Sequence, residues 1–160
     1  MENTQENTTF NYWLNEFNNY CETHNVNEFL SNVTNELESI GWPVERSVID
    51  IKGFKEVLFI ASNYRIRLVA IGNKIKNYRE ELKDRYENII FFLRTDPNIP
   101  GKTKEDKKKY SELSTIKEKN IITRIDKIYT RIIDLIEAYK IQYEATSRVL
   151  SIVQSEKDMQ

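Results

Sequence analysis

Basic residues interleaved with aromatic ones carry the most suggestive chemistry in this sequence. Arg65, Arg67, Lys74, Lys76, Arg79, Lys83 and Arg85 share one stretch with Tyr64, Tyr78 and Tyr86. A second run, Lys102, Lys104, Lys107, Lys108 and Lys109, leads into Tyr110. Cations that track a phosphate backbone, beside rings on which bases stack, are the chemistry of single-strand binding. The same pattern fits the solvated flank of a coiled coil, with Glu80, Glu81, Asp84 and Glu87 balancing the cations. Arg85 stands apart because it falls on an otherwise apolar seam, where a charge is costly unless paired or open to an aqueous channel. Rotation of Tyr86 into the seam would remove the anomaly. The candidate nucleic-acid contacts are therefore Lys76, Arg79, Lys83, Arg85, Lys102, Lys104, Lys107 and Lys108.

Other constellations lead away from catalysis, so the expectation is a non-enzymatic protein with no cofactor and no metal. One His and one Cys cannot assemble an ordinary zinc site within one chain. Cys21 and His24 lie one helical turn apart, like a nucleophile and its base, but neither an orienting group nor an oxyanion donor is suggested nearby. An amphipathic aromatic helix explains the cysteine as core. Gly101-Lys102-Thr103 resembles the end of a phosphate-binding loop. The first glycine of that pattern would fall at residue 96, which is Asp, and no strand precedes it. Glu80 and Glu81 read as a solvated pair.

The elements that must position these residues are helices. Apolar spacing over Phe10, Trp13, Leu14, Phe17 and Tyr20/Cys21 predicts one helix, and Val26, Phe29, Leu30, Val33, Leu37 and Ile40 a second, with a break near residues 23–25. Gly41 reads as the stop and Trp42-Pro43 as the turn. Residues Val57, Ala61, Tyr64, Leu68, Ile71, Ile75, Tyr78, Leu82, Arg85, Ile89 and Phe92 follow steps of four and three, the seam of a coiled coil. A helix over 54–93 would be roughly 60 Å long at 1.5 Å per residue, longer than a globule of this size is wide, so it must protrude or find partners. Gly53 and Gly72 each cost it about 1 kcal/mol relative to Ala.

Residues 95–101, with two prolines and a glycine, form the strong loop. Thr103 reads as the N-cap of a basic helix with Glu105 and Asp106 in its first turn. That helix is expected to run through Leu113 and Ile116 into a last helix. There Ile121, Ile125, Ile128/Tyr129, Ile132, Leu135/Ile136, Tyr139, Tyr143, Val149/Leu150 and Val153 make a stripe wide enough for more than one neighbour. The reading is an all-α chain of long amphipathic helices in a helical hairpin or coiled-coil-like bundle. Its divisions are a disordered N-terminus (1–8), an acidic helical arm (9–42) and a long-helix core for oligomerisation (43–160).

Composition supports this reading. Of 160 residues 31% are charged, while only four are Gly and three Pro, which favours long helices with wet outer faces. The net charge of −1 conceals an asymmetry: residues 1–45 hold eight Glu and no Lys or Arg, and the remainder holds 24 basic residues against 17 acidic. Either the basic part meets a polyanion or the two parts dock on each other. The first residues lack the positive start and apolar core of a signal peptide, and charge interrupts every apolar run short of a membrane span. A single cysteine suits a reducing compartment. The expected location is cytoplasmic, without membrane association. The Asn-x-Thr triplets at Asn7 and Asn32 then carry no glycan.

Leu82-Lys83-Asp84-Arg85-Tyr86 resembles the Leu-Lys-x-Arg segment of the phage recombination mediators (UvsY-like proteins). Lys109-Tyr110-Ser111-Glu112-Leu113 is similar to the Lys-Ser-Glu-hydrophobic element of that family, and a long striped helix follows in both. The resemblance spans roughly residues 75–155; the loop is longer here, and residues 1–45 have no counterpart. It implies a ring-like homo-oligomer that binds single-stranded DNA and helps load a recombinase onto strands coated by single-strand-binding protein. It places the DNA contact on Lys83 and Arg85. The competing expectation is an adaptor that recruits proteins through its acidic N-terminal helices, with Trp13, Phe17 and Phe29 as anchors and no nucleic acid. A further alternative is an accessory subunit that neutralises a toxin or host factor.

Overall fold

The computed structural model describes the backbone of residues 2–40 and 51–158 and the side chains of 8–39 and 51–156. Among the described residues the chain is all α-helical, built of long amphipathic helices packed as a bundle: α1 (Glu2–Thr23), α2 (Val26–Ile40), α3 (Ile51–Thr95), α4 (Lys104–Ser114) and α5 (Ile116–Asp158). The turn expected at Gly41, Trp42 and Pro43 lies outside the described residues. Helical backbone reaches back to Glu2, taking in residues 2–8, whose polar composition predicts disorder. Once the amphipathic turns from Phe10 onward are formed, each added residue needs only one further hydrogen bond.

Local chemistry sets the breaks. Between α1 and α2, Asn25 adopts φ 47°, a left-handed conformation that Asn tolerates better than most residues. There the His24 N–H closes α1 on the Tyr20 carbonyl and the Phe29 N–H opens α2 on the Asn25 carbonyl. After α3, the Asn98 N–H donates to Asp96 Oδ1 at 2.8 Å, and Gly101 takes φ 137°. A side chain at Gly101 would put its Cβ 2.9 Å from Asp106 Cβ, so the loop requires glycine both for its backbone and for its space.

Thr103 is the N-cap of α4, as its position predicts. Its hydroxyl accepts from the Asp106 N–H at 3.1 Å, and the Asp106 carboxylate accepts from the Thr103 N–H at 3.1 Å and its hydroxyl at 2.8 Å. That reciprocal capping box satisfies donors the first turn leaves open. Helix α4 does not run on into α5, contrary to expectation. It ends at Thr115, which is buried, with its hydroxyl donating to the Ser111 carbonyl at 2.8 Å.

The helical segments form two compact units. Unit 1 comprises residues 1–24 and 73–129: α1, the second part of α3, α4 and the first part of α5. Phe10, Phe17, Ile75, Tyr78, Leu82, Ile89, Leu93 and Ile125 are buried in it. Unit 2 comprises residues 25–72 and 130–160. Its core holds Val26, Leu30, Val33, Phe54, Ala61, Leu68, Ile132 and Tyr139. Here α3 and α5 run antiparallel, since Tyr64 meets Tyr139 while Gly72, further along α3, meets Ile132. The acidic helices are thus distributed: α1 belongs to unit 1 and α2 to unit 2.

The α3 seam follows the predicted register from Val57 to Ile89, with Tyr64 and Arg85 half-buried on it, then shifts by one residue. Leu93 rather than Phe92 is buried at its end, because a straight helix turns every 3.6 residues and outruns a strict 3.5-residue repeat. In α5 the buried line is Ile122, Ile125, Ile132, Leu135, Tyr139, Gln142, Thr146, Leu150 and Val153, and Tyr143 is exposed. Two polar residues occupy seam positions that an apolar pattern cannot reveal. Leu113 and Ile116, expected on a continuous apolar face, are 72% and 53% exposed, because the break at Thr115 turns them outward.

Candidate nucleic-acid interface

All eight candidate cations lie in unit 1, but the structure divides them. Arg79 and Lys83, one turn apart on α3, converge on a single carboxylate of α5. Arg79 Nε donates to Asp126 Oδ1, and Lys83 Nζ lies 3.0 Å from the same oxygen. The Arg79 guanidinium also sits over the Tyr129 ring at 5.2 Å, a cation–π contact from the next turn of α5. Partial burial pushes the Asp126 carboxyl up, but hydrogen bonds and charge from Arg79 and Lys83 together outweigh it and hold the group below the ordinary carboxylate range.

Lys76 pairs with Glu80 at 3.7 Å, and Arg85 with Glu81 at 3.7 Å, each four residues away along α3. Arg85 is half-buried between the buried Leu82 and Ile89. Its place beside the seam is therefore reconciled by a carboxylate from the preceding turn, at the helix edge rather than inside the core. Exposed pairs of this spacing contribute a few tenths of a kcal/mol, about 0.3–0.5.

The lysines beyond the loop behave differently. Lys107 is half-buried, and its Nζ donates to the Asp96 carbonyl at 2.9 Å, so it fastens α4 to the loop. Lys102, Lys104 and Lys108 are exposed, and Tyr110 on the same helix is 38% exposed. Lys109 reaches Glu105 at 3.9 Å. The capping box lowers the Asp106 carboxyl below its ordinary value through the Thr103 hydroxyl and backbone bonds. The anchored first turn holds Lys104 and Lys108 on one face, four residues apart, where they line a shallow groove together with Lys109 and the acids Glu105 and Glu112.

The three aromatic anchors expected on the acidic helices pack inward within their units. Phe17 and Phe29 are buried. Trp13 and Phe17 meet Tyr78 edge-on at 6.4 and 6.1 Å, and Phe29 lies against Tyr64 under the Arg67 guanidinium, 4.4 Å from its ring. Helix α2 also meets the basic residues through Arg131, which donates to the Thr34 hydroxyl at 3.0 Å and the Leu30 carbonyl at 3.4 Å. Burial, with the nearby charge of Glu22, pushes the Cys21 thiol up to about 11, the reverse of nucleophile activation. The His24 ring packs on Tyr20 at 4.3 Å and its Nδ1 donates to the Tyr20 carbonyl. Among the described residues no three His, Cys, Asp or Glu gather to hold a metal, and no helix is long and apolar enough to cross a membrane.

Sequence reasoning missed Asp126 and Tyr129. The available signal was Asp126 itself, the one acid between Glu118 and Asp134 on the flank of an aliphatic stripe. Comparison with protein-family models, characterised proteins and solved structures returns no match for the chain.

Proposed function

We propose that this chain is a non-enzymatic mediator of recombination or replication that binds single-stranded DNA as a homo-oligomer in the cytoplasm. On this reading it helps load a recombinase onto strands held by a single-strand-binding protein. One observation carries the nucleic-acid part: the loop and the capped first turns of α4 leave Lys102, Lys104 and Lys108 exposed to solvent, and the ring of Tyr110, farther along the same helix, is accessible as well. Spaced cations with a stacking surface suit a flexible polyanion, since phosphate contacts need charge at intervals and bases need a π-face. The mediator role rests on the resemblance over residues 75–155. Exposed apolar side chains on α3, Phe59 at 69%, Ile66 at 65% and Val69 at 40%, support association between copies. The adaptor alternative loses its named anchors, because Phe17 and Phe29 are buried and Trp13 packs on Tyr78.

Fluorescence anisotropy with a labelled oligo-dT tests the reading. Affinity should fall steeply with salt, and replacing Lys102, Lys104 and Lys108 by Gln should flatten the log–log slope by about 2, at roughly 0.7 per phosphate for single strands. Absence of binding by the wild-type chain at low salt overturns it. Light scattering with and without the oligonucleotide should give a mass above one chain in both states.

A further inference from the structure

The convergence of Arg79 and Lys83 on Asp126 has the composition of an occupied anion site. Two cations from successive turns of α3 meet one carboxylate oxygen, which leaves an excess positive charge. Tyr129 supports the guanidinium from below, so the fork is oriented before any ligand arrives. The side chains of Arg79, Lys83 and Asp126 remain 27%, 33% and 36% exposed, which puts the cluster at the surface, within reach of solutes. A phosphodiester carries the same single negative charge as a carboxylate and likewise offers two acceptor oxygens, to which Arg and Lys bind readily. Ion pairs at this degree of exposure are weak, so a polyanion can displace the resident carboxylate.

Resting on the single-strand-binding reading above, we propose that Arg79, Lys83 and Tyr129 form a second phosphate-binding site, which Asp126 occupies and keeps closed in the unliganded chain. The lysines of the loop and α4 make first contact. Asp126 then yields to a backbone phosphate only when a strand is already held nearby, because the local concentration of phosphate is then high. Weak, salt-sensitive capture is thereby separated from tighter engagement within one unit of the protein.

The test is oligo-dT anisotropy over a salt series with the full chain and Asp126→Asn. Removing the resident anion should tighten binding about three- to tenfold at low salt and steepen the slope by roughly 0.7–1.4, for one or two added phosphates. Asp134→Asn, which neutralises an exposed acid elsewhere on α5, controls for net charge and should change affinity much less. Adding Lys83→Gln to Asp126→Asn should cancel the gain. If the wild-type chain and Asp126→Asn both fail to bind at low salt, the single-strand-binding reading falls. If the wild type binds and Asp126→Asn binds no tighter than Asp134→Asn, or the gain survives Lys83→Gln, that reading stands and the closed site is overturned. Should Asp126→Asn lose helicity by circular dichroism, Lys83→Gln alone decides. Engagement of the site by a held strand predicts binding at least twofold weaker than the wild type's, and an unchanged affinity overturns it.

Discussion

The phenolic hydroxyl of Tyr139 donates to the Val33 carbonyl oxygen at 2.8 Å, fastening α5 to α2 in the core of unit 2. Tyr139 is fully buried, and burial, with the neighbouring Tyr64 and Glu36, raises its phenol well above the ordinary value of 10.0. Tyr139→Phe should cost about 1 kcal/mol and lower Tm by roughly 2–4 °C. The native state keeps the proton longer than the unfolded chain. This contribution is therefore complete below pH 10 and declines as pH rises from there toward the higher native value. Thermal melts from pH 8 to 11 should show an alkaline loss in the wild type that Tyr139→Phe reduces.

Thr103→Ala should remove both hydroxyl bonds with Asp106, leaving the backbone N–H on its carboxylate, and destabilise the first turn of α4 by about 1 kcal/mol. Acid acts on the same contact from the other partner. The native Asp106 carboxyl lies below its ordinary 3.8, so its contribution is present above that value and disappears as pH falls through the native one. Lower protection factors of the α4 amides in hydrogen exchange, in Thr103→Ala at neutral pH and in the wild type at low pH, check both.

Gly72 is buried within α3, and a Cβ there would lie 3.0 Å from Ile132 Cγ2 and 3.8 Å from Ile136 Cδ1. Ile132 is fully buried and β-branched, so its methyl has little room to retreat. Gly72→Ala should therefore fail to deliver the usual helical gain of about 1 kcal/mol, leaving stability unchanged or lower. Gly72→Leu should destabilise by about 1–3 kcal/mol through overpacking. Urea denaturation of the two variants measures the difference.

The Cys21 thiol is half-buried and raised to about 11. At pH 8 it should react with a thiol-specific disulfide reagent far more slowly than a free cysteine of ordinary pKa near 8.5. Rates matching the free amino acid would show that α1 opens readily at this position.

Most of the fold was legible because helical periodicity is a local signal. The breaks near 23–25 and after Thr95, the N-cap at Thr103 and the α3 seam as far as Ile89 follow from residue type and spacing alone. What escaped depends on partners distant in sequence. Gln142 and Thr146 are buried by their register on α5 and not by hydrophobicity, so apolar counting selected Tyr143 instead. The end of α4 at Thr115 has no Gly or Pro beside it to announce it in the sequence. At the candidate interface the cations themselves were legible. Their partition was not, because the 47 residues that separate Arg79 from Asp126 conceal which lysines meet a carboxylate and which meet water.

Each compact unit is assembled from two stretches of chain that alternate along the sequence, 1–24 with 73–129 and 25–72 with 130–160. The order of synthesis thus becomes a constraint on maturation. The aliphatic faces of α2 and of the first part of α3 emerge from the ribosome long before the closing segment of α5, and must wait for it with their apolar side chains uncovered. A protease that cuts within 96–103 would leave two pieces that each supply helices to both units, so the nicked protein should stay associated until a denaturant separates it.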